Sequence, residues 1–293
     1  MDSKKTAVLA LFAAPMLWGG ALVAGRVVSA EMPPISAAFV RFVVTTTLLA
    51  LFLRIRGGKL PKPEKNILPA LIAAGMTGVA LFNVFLFSAL ATVSAGRSAV
   101  IIAMTPAVVA MISAIIYKEK HQKLFPLALI LAFLGAAIVI SEGDPPSLFR
   151  TPPGKGELFM IGCVFSWAAY SFAGKHVLKS FPPLPAIMYS SFFGALLLAI
   201  PAFLEGGLPR VFSASPSAWA GLLYMSIGAA GVAHVFYYYG ISKIGPSKSA
   251  IFMNLEPISA LFFGMVLLGE EITMPLAIGS VLVLSGVSLS VKE

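Results

Sequence analysis

The sequence predicts an all-α membrane protein, with ten transmembrane helices laid out as two inverted-topology repeats of five. Three observations lead there. The 293 residues are 58% hydrophobic and only 11% charged, where a soluble domain carries roughly 25% charged residues. Apolar runs of about 17–22 residues, close to the length that crosses hydrocarbon, recur ten times along the chain. The chain also repeats itself, and each copy holds an odd number of runs.

The ten runs span residues 6–28, 35–53, 67–90, 97–117, 124–141, 156–177, 185–204, 217–240, 248–268 and 274–291. Between them lie turn formers and charges: "EMPP", "RIRGGKLPKPEK", "KEKHQK", "EGDPPSLFRTPPGK", "KSFPP", "EGGLPR" and "GEE". Such stretches do not sit in lipid, because their backbone polar groups would go unsatisfied there. Lys4 and Lys5 before the first run would also suit a cleaved leader. That run is long for a leader, however, and its sequence recurs later in the chain. The net charge of +9 could suggest nucleic acid, but in so apolar a chain it reads as basic loops at a membrane surface, so no nucleic-acid partner is expected.

Placing the N-terminus inside puts fifteen basic residues in the inner loops, among them Arg54, Arg56, Lys62, Lys65, Lys118, Lys120, Lys123, Lys175 and Lys179. Only Arg97, Arg150, Lys155 and Arg210 fall outside. This bias predicts that both termini face the cytoplasm. Arg26 and Arg41, near the outer ends of runs one and two, read as headgroup anchors that snorkel outward. A sharper reading gives Arg41 a substrate carboxylate.

The repeat is visible by eye. "WGGALVAGRVVSAEMPP" from Trp18 lines up with "WAAYSFAGKHVLKSFPP" from Trp167 at an offset of 149. Further on the offset becomes 151: "NVFLFSALATVSAGRSAVIIAMTPAVVAMISAIIYKE" from Asn83 matches "HVFYYYGISKIGPSKSAIFMNLEPISALFFGMVLLGE" from His234. Pro106 meets Pro257, Glu119 meets Glu270 and Gly135 meets Gly286. Residues 1–141 thus form one repeat, 142–155 a linker loop and 156–293 the other. Five crossings per copy turn the second copy upside down, an arrangement that places a binding site near the midplane between repeats.

These paired stretches resemble the EamA family of the drug/metabolite transporter superfamily over nearly the whole chain, and within it the YddG-type amino-acid exporters. Lys118 stands where the duplicated "GE" pattern has Gly. The resemblance implies a ten-helix inner-membrane secondary transporter that exports amino acids or related small amphipathic metabolites, without a cofactor. A channel-like facilitator, or an exporter of drug-like or other metabolites, remains the alternative. An enzyme finds no support in the residues. There is no phosphate-binding Gly-x-x-x-x-Gly-Lys and no Gly-x-Ser-x-Gly elbow. Asp2 and Asp144 lie outside the runs, His121, His176 and His234 lack metal spacing, and Cys163 is the single cysteine.

Candidate substrate contacts follow from helical faces. In run nine, Ser249, Phe252 or Met253, Glu256 and Ser259 share a face; in run four, Ser98, Ile102 and Thr105 do. Thr105 and Glu256 each directly precede a proline, which frees the carbonyl four residues back, at Ile102 and Met253. Thr105 and a protonated Glu256 could donate to those carbonyls. Alternatively, Glu256 meets a substrate ammonium in a wet cavity or pairs with His234. Proton coupling is open to the same residue. His234 and Tyr238 lie one turn apart in run eight, with Asn83 and Phe87 as counterparts in run three. Trp18, Trp167 and Tyr170 offer aromatic walls for an amphipathic molecule, although each also suits simple packing or an interfacial belt. The cavity is expected between runs one, three, four, six, eight and nine. Glu119 and Glu270 are expected to hold adjoining helix N-termini, and Gly135, Gly279 and Gly286 to allow close helix packing.

Overall fold

The computed structural model describes residues 3–57, 60–117, 124–149, 153–244 and 251–291. Helices account for the regular structure of these residues, with no strand among them. In chain order they are α1 (Ser3–Glu31), α2 (Pro34–Gly57), α3 (Leu68–Ala74), a π-helical segment (Gly75–Leu81), α4 (Phe82–Leu90), α5 (Ala95–Ala103), α6 (Thr105–Tyr117) and α7 (Phe125–Ile140). There follow α8 (Lys155–Val177), α9 (Pro183–Glu205), the short α10 (Leu208–Ser213), α11 (Pro216–Leu223), a second π-helical segment (Tyr224–Val232), α12 (Ala233–Ile244), a 3₁₀ turn (Ile251–Asn254), α13 (Leu255–Leu268) and α14 (Met274–Val291).

Among the described residues, six helical stretches are long and apolar enough to cross a membrane: Lys5–Glu31, Pro34–Gly57, Leu68–Leu90, Lys155–Val177, Pro183–Glu205 and Pro216–Tyr237. Four shorter apolar helices accompany them, Ala95–Val109, Pro126–Ile140, Leu255–Leu268 and Met274–Gly286. Proline in the first turn starts several of the helices, including α7, α9 and α11, where its missing N–H has no partner to lose. Large apolar side chains such as Leu204 (83% exposed) and Ile55 (78% exposed) cover the outside, a surface suited to acyl chains.

Four of the expected continuous helices are interrupted, and the interruptions position the site. In the fourth run the helix breaks at Met104, between α5 and α6. Pro106 has no amide hydrogen, so the ladder lapses and Thr105 Oγ1 donates to the freed Ile102 carbonyl at 2.5 Å. In the ninth run Pro257 falls in the first turn of α13, preceded by the 3₁₀ turn, so it starts a helix instead of kinking one. The third and eighth runs widen to π-helix at Gly75–Leu81 and Tyr224–Val232. Such segments shift hydrogen bonds to the residue five back and recur at functional sites.

The two halves of the chain exchange partners. α1 packs against α11, the second π segment, α12 and α13, while α8 packs against α3, the first π segment, α4, α5 and α6. α2 pairs with α9 and α7 with α14. The α7–α14 contact is symmetrical in detail. A Cβ on Gly135 would lie 2.7 Å from Gly279 O and 2.8 Å from Val283 N. One on Gly286 would lie 2.5 Å from Ala128 O and 2.7 Å from Ala132 N. Adding 151 to Ala128 and Ala132 gives Gly279 and Val283, so each helix offers its glycine to equivalent backbone atoms of the other.

One end of the bundle is tied by carboxylates. Glu31 accepts from Ser215 N and Oγ, at 2.7 and 2.6 Å. Glu205 accepts from Ile35 N at 3.2 Å and from Ser36 N at 2.7 Å. Glu270 accepts from Ala95 N at 2.8 Å and Gly96 N at 3.1 Å, and pairs with Arg26 Nε at 3.3 Å. Each carboxylate meets a helix N-terminus, where unpaired N–H groups and the helix dipole favour negative charge. Glu270 therefore has the anchoring role expected of it; Glu119 lies outside the described residues.

Candidate functional site

A cavity of about 390 Å³ lies where the interrupted helices converge. Trp18 comes to it from α1, Asn83 and Phe82 from α4, Ile102 from α5 and Thr105 from α6. Trp167, Tyr170 and Ser171 come from α8, His234 from α12 and Glu256 from α13. Runs two, seven and ten also reach it, through Arg41 and Phe42, Ser190 and Ser191, and Leu284. The pair "SS" inside the apolar run "MYSSFFGALLL" was the available signal for run seven.

Seven of the eleven candidates thus meet at one place: Trp18, Asn83, Thr105, Trp167, Tyr170, His234 and Glu256. Phe87 does not join them. It is fully buried in the main core cluster, because α4 continues past the cavity into packing against α1 and α8. Ser98 is likewise fully buried away from the lining, its Oγ without a hydrogen-bond partner. The break at Met104 ends the face that Ser98 and Thr105 would have shared. Ser249 and the Tyr238 side chain lie outside the described residues.

The aromatic walls are built in two sets. Trp167 packs against Phe82 (ring centroids 5.1 Å apart) and Tyr170 (5.2 Å). Trp18 meets His234 edge-on at 5.3 Å and Tyr237 at 5.5 Å. Ala229 O, inside the second π segment, accepts from Trp18 Nε1 at 3.0 Å and from His234 Nδ1 at 2.9 Å. That bond sets the tautomer of the neutral imidazole and leaves Nε2 as its acceptor.

Both arginines expected as headgroup anchors find partners within the bundle. Arg26 donates to Leu90 O at 3.0 Å and Val93 O at 2.7 Å besides pairing with Glu270. Arg41 is 7% exposed. It donates to Asn83 Oδ1 at 2.5 Å and to Met225 O at 3.3 Å, while its Nε has no partner. Asn83 is held in turn by its own bond to Val79 O at 2.9 Å. Sequence periodicity places Arg41 on a helix but says nothing of which element lies opposite, and here the opposite elements supply two acceptors, Asn83 Oδ1 and Met225 O.

Glu256 settles on none of the partners considered for it. Among the described residues its carboxylate makes no hydrogen bond or ion pair, to Met253 O, His234 or any other group. Ser259 Oγ bonds instead to the Glu256 carbonyl at 2.9 Å and to Pro15 O at 3.1 Å, which ties α13 to α1.

The EamA-like transporter family matches residues 5–141 and 154–292. The chain belongs to this family. Its relatives include an uncharacterized transporter of Archaeoglobus fulgidus, 27% identical over 293 residues, with 100% of this chain and 99% of that protein covered. YyaM of Bacillus subtilis, also an uncharacterized transporter, is 26% identical over 255 residues, covering 87% and 83%. YicL, an uncharacterized inner membrane transporter of Salmonella typhimurium, is 25% identical over 296 residues, covering 99% and 96%. A solved crystal structure superposes with a TM-score of 0.62 at 21% identity, over 97% of this chain and 96% of that one; it shares the fold. As an EamA-like chain with six helices of spanning length among its described residues, the protein is a multi-pass membrane transporter.

Proposed function

We propose that the protein is a YddG-like secondary carrier that exports amino acids or related small amphipathic solutes by alternating access. The observation that carries this reading is the cavity itself: aromatic walls from both halves of the chain, with an unpaired carboxylate and a buried guanidinium on the same lining. A few polar groups on apolar walls suit an amphipathic ligand.

In this reading the ten apolar helices all cross the membrane, as inverted repeats over residues 1–141 and 156–293 joined by the 142–155 loop. The protein sits in the inner membrane with both termini cytoplasmic. The reciprocal glycine contacts of α7 and α14 and the paired π segments support a two-fold relation. The exchanged packing suggests the moving bodies: α1 with α11–α13 against α8 with α3–α6.

Counterflow tests the carrier. Proteoliposomes preloaded with an unlabelled amino acid should accelerate, saturably, the entry of the labelled one. Flux that rises linearly with concentration and ignores the solute inside would favour the facilitator reading. Trp167 offers a finer check. Replacing it with alanine removes a wall shared with Phe82 and Tyr170. Counterflow of large side chains should fall by about tenfold, as expected for about 1–1.5 kcal/mol of aromatic contact, and that of small ones much less. Equal loss for all solutes would point to damaged folding.

A further inference from the structure

The cavity holds one acidic and one basic side chain, neither with an ion-pair partner among the described residues. Arg41 is buried, and no carboxylate lies within 4 Å of it among the described residues. Its partners are the neutral Asn83 Oδ1 and the Met225 carbonyl, and Nε is unsatisfied. Glu256, on α13, faces the same space without any partner. The two are carried by different helices and form no ion pair with each other. An uncompensated charge away from water is costly, and pairing it with a hydrogen-bonded counter-charge removes much of that cost.

We infer that the two groups form a split receptor for a zwitterion: Arg41, held by Asn83, takes the substrate carboxylate, and Glu256 takes its ammonium. Guanidinium suits this task because its planar fork matches a carboxylate. Asn83 orients the fork from one side as a positioning residue, since it touches Arg41 and is itself fixed by Val79 O. The side chain of the substrate then lies along Trp167 and Tyr170. The inference rests on the amino-acid reading above and names the chemistry that reading requires at its two poles. It also sets a requirement: a solute with only one of the two charges leaves the other protein charge unpaired and binds poorly.

The test is inhibition of counterflow, using the labelled amino acid that gives saturable exchange. The competitors are phenylalanine, phenylalaninamide without the carboxylate, and 3-phenylpropionate without the ammonium. The wild type should take phenylalanine at least about tenfold better than either analogue, since each analogue strands one charge. Arg41→Met should erase the preference over the amide and keep the preference over the propionate. Glu256→Gln should do the reverse. Arg41→Lys keeps the charge without the fork and should keep part of the amide preference, and it stands in if Arg41→Met does not fold. A wild type that takes the amide as well as the amino acid overturns the inference, as do single-charge variants that leave both preferences unchanged; in either case amino-acid transport stands. Absence of counterflow for every amino acid removes the transport reading, and this inference with it.

Discussion

Gly286→Leu is expected to lower the melting temperature of the purified protein by about 5–10 °C, equivalent to about 3 kcal/mol. Even the first carbon of the new side chain would sit 2.5 Å from Ala128 O and 2.7 Å from Ala132 N. Both obstacles are backbone, so no rotamer change relieves them and α7 must separate from α14. In lipid, helix association depends on close packing because tails are as apolar as the side chains, and a gap forfeits much of that attraction. Gly135→Leu should cost the same, since it meets Gly279 O and Val283 N at 2.7 and 2.8 Å. Val281→Leu, on the same helix but 65% exposed, should change stability by less than about 0.5 kcal/mol. If the two glycine variants melted like the Val281 variant, the close approach described here would be wrong.

Glu270→Ala should be the next most damaging change, costing about 2–3 kcal/mol. It strips two N–H groups at the start of α5 of their acceptor and leaves Arg26 with backbone carbonyls alone. The Arg26 side chain is 34% exposed, so water screens part of the lost ion pair and the figure stays below that of a fully buried pair. Glu270→Gln keeps an acceptor for the amides and should recover about half the loss. A melting curve for Glu270→Ala that matched the wild type would remove the carboxylate from any role in tying this end of the bundle.

Much of this was legible in the residues. Lipid imposes a length and an apolar composition on each crossing, so the runs announced their helices. The repeated order of Trp18, Pro-Pro, Pro106 and Glu119 in the second half announced the family. Chemistry at proline was readable too: the Thr105 hydroxyl does satisfy the Ile102 carbonyl, and Glu270 does hold a helix N-terminus. The depth of the cavity and the partners across it were not readable. Phe87 repeats the position of Asn83 one turn on, yet falls beyond the cavity end. Arg41 looked like a surface anchor, because only the tertiary fold brings Asn83 and Met225 to it. The π segments escaped notice for a different reason. "GMTGVAL" and "YMSIGAAGV" contain no proline, and the helices they pack against, α8, α9 and α1, are distant in the chain.

Those widened turns mean that the winding of the helix itself carries specificity. An α-helix advances about 100° per residue and a π turn holds roughly one residue more than an α turn, so rewinding Gly75–Leu81 into α-helix at unchanged length would swing everything downstream by roughly a quarter-turn. Asn83 would leave Arg41 without its own side chain having been exchanged. Deleting one residue as well would absorb the rewinding and return Asn83 to its place, so the winding and the length of these two stretches together aim the site.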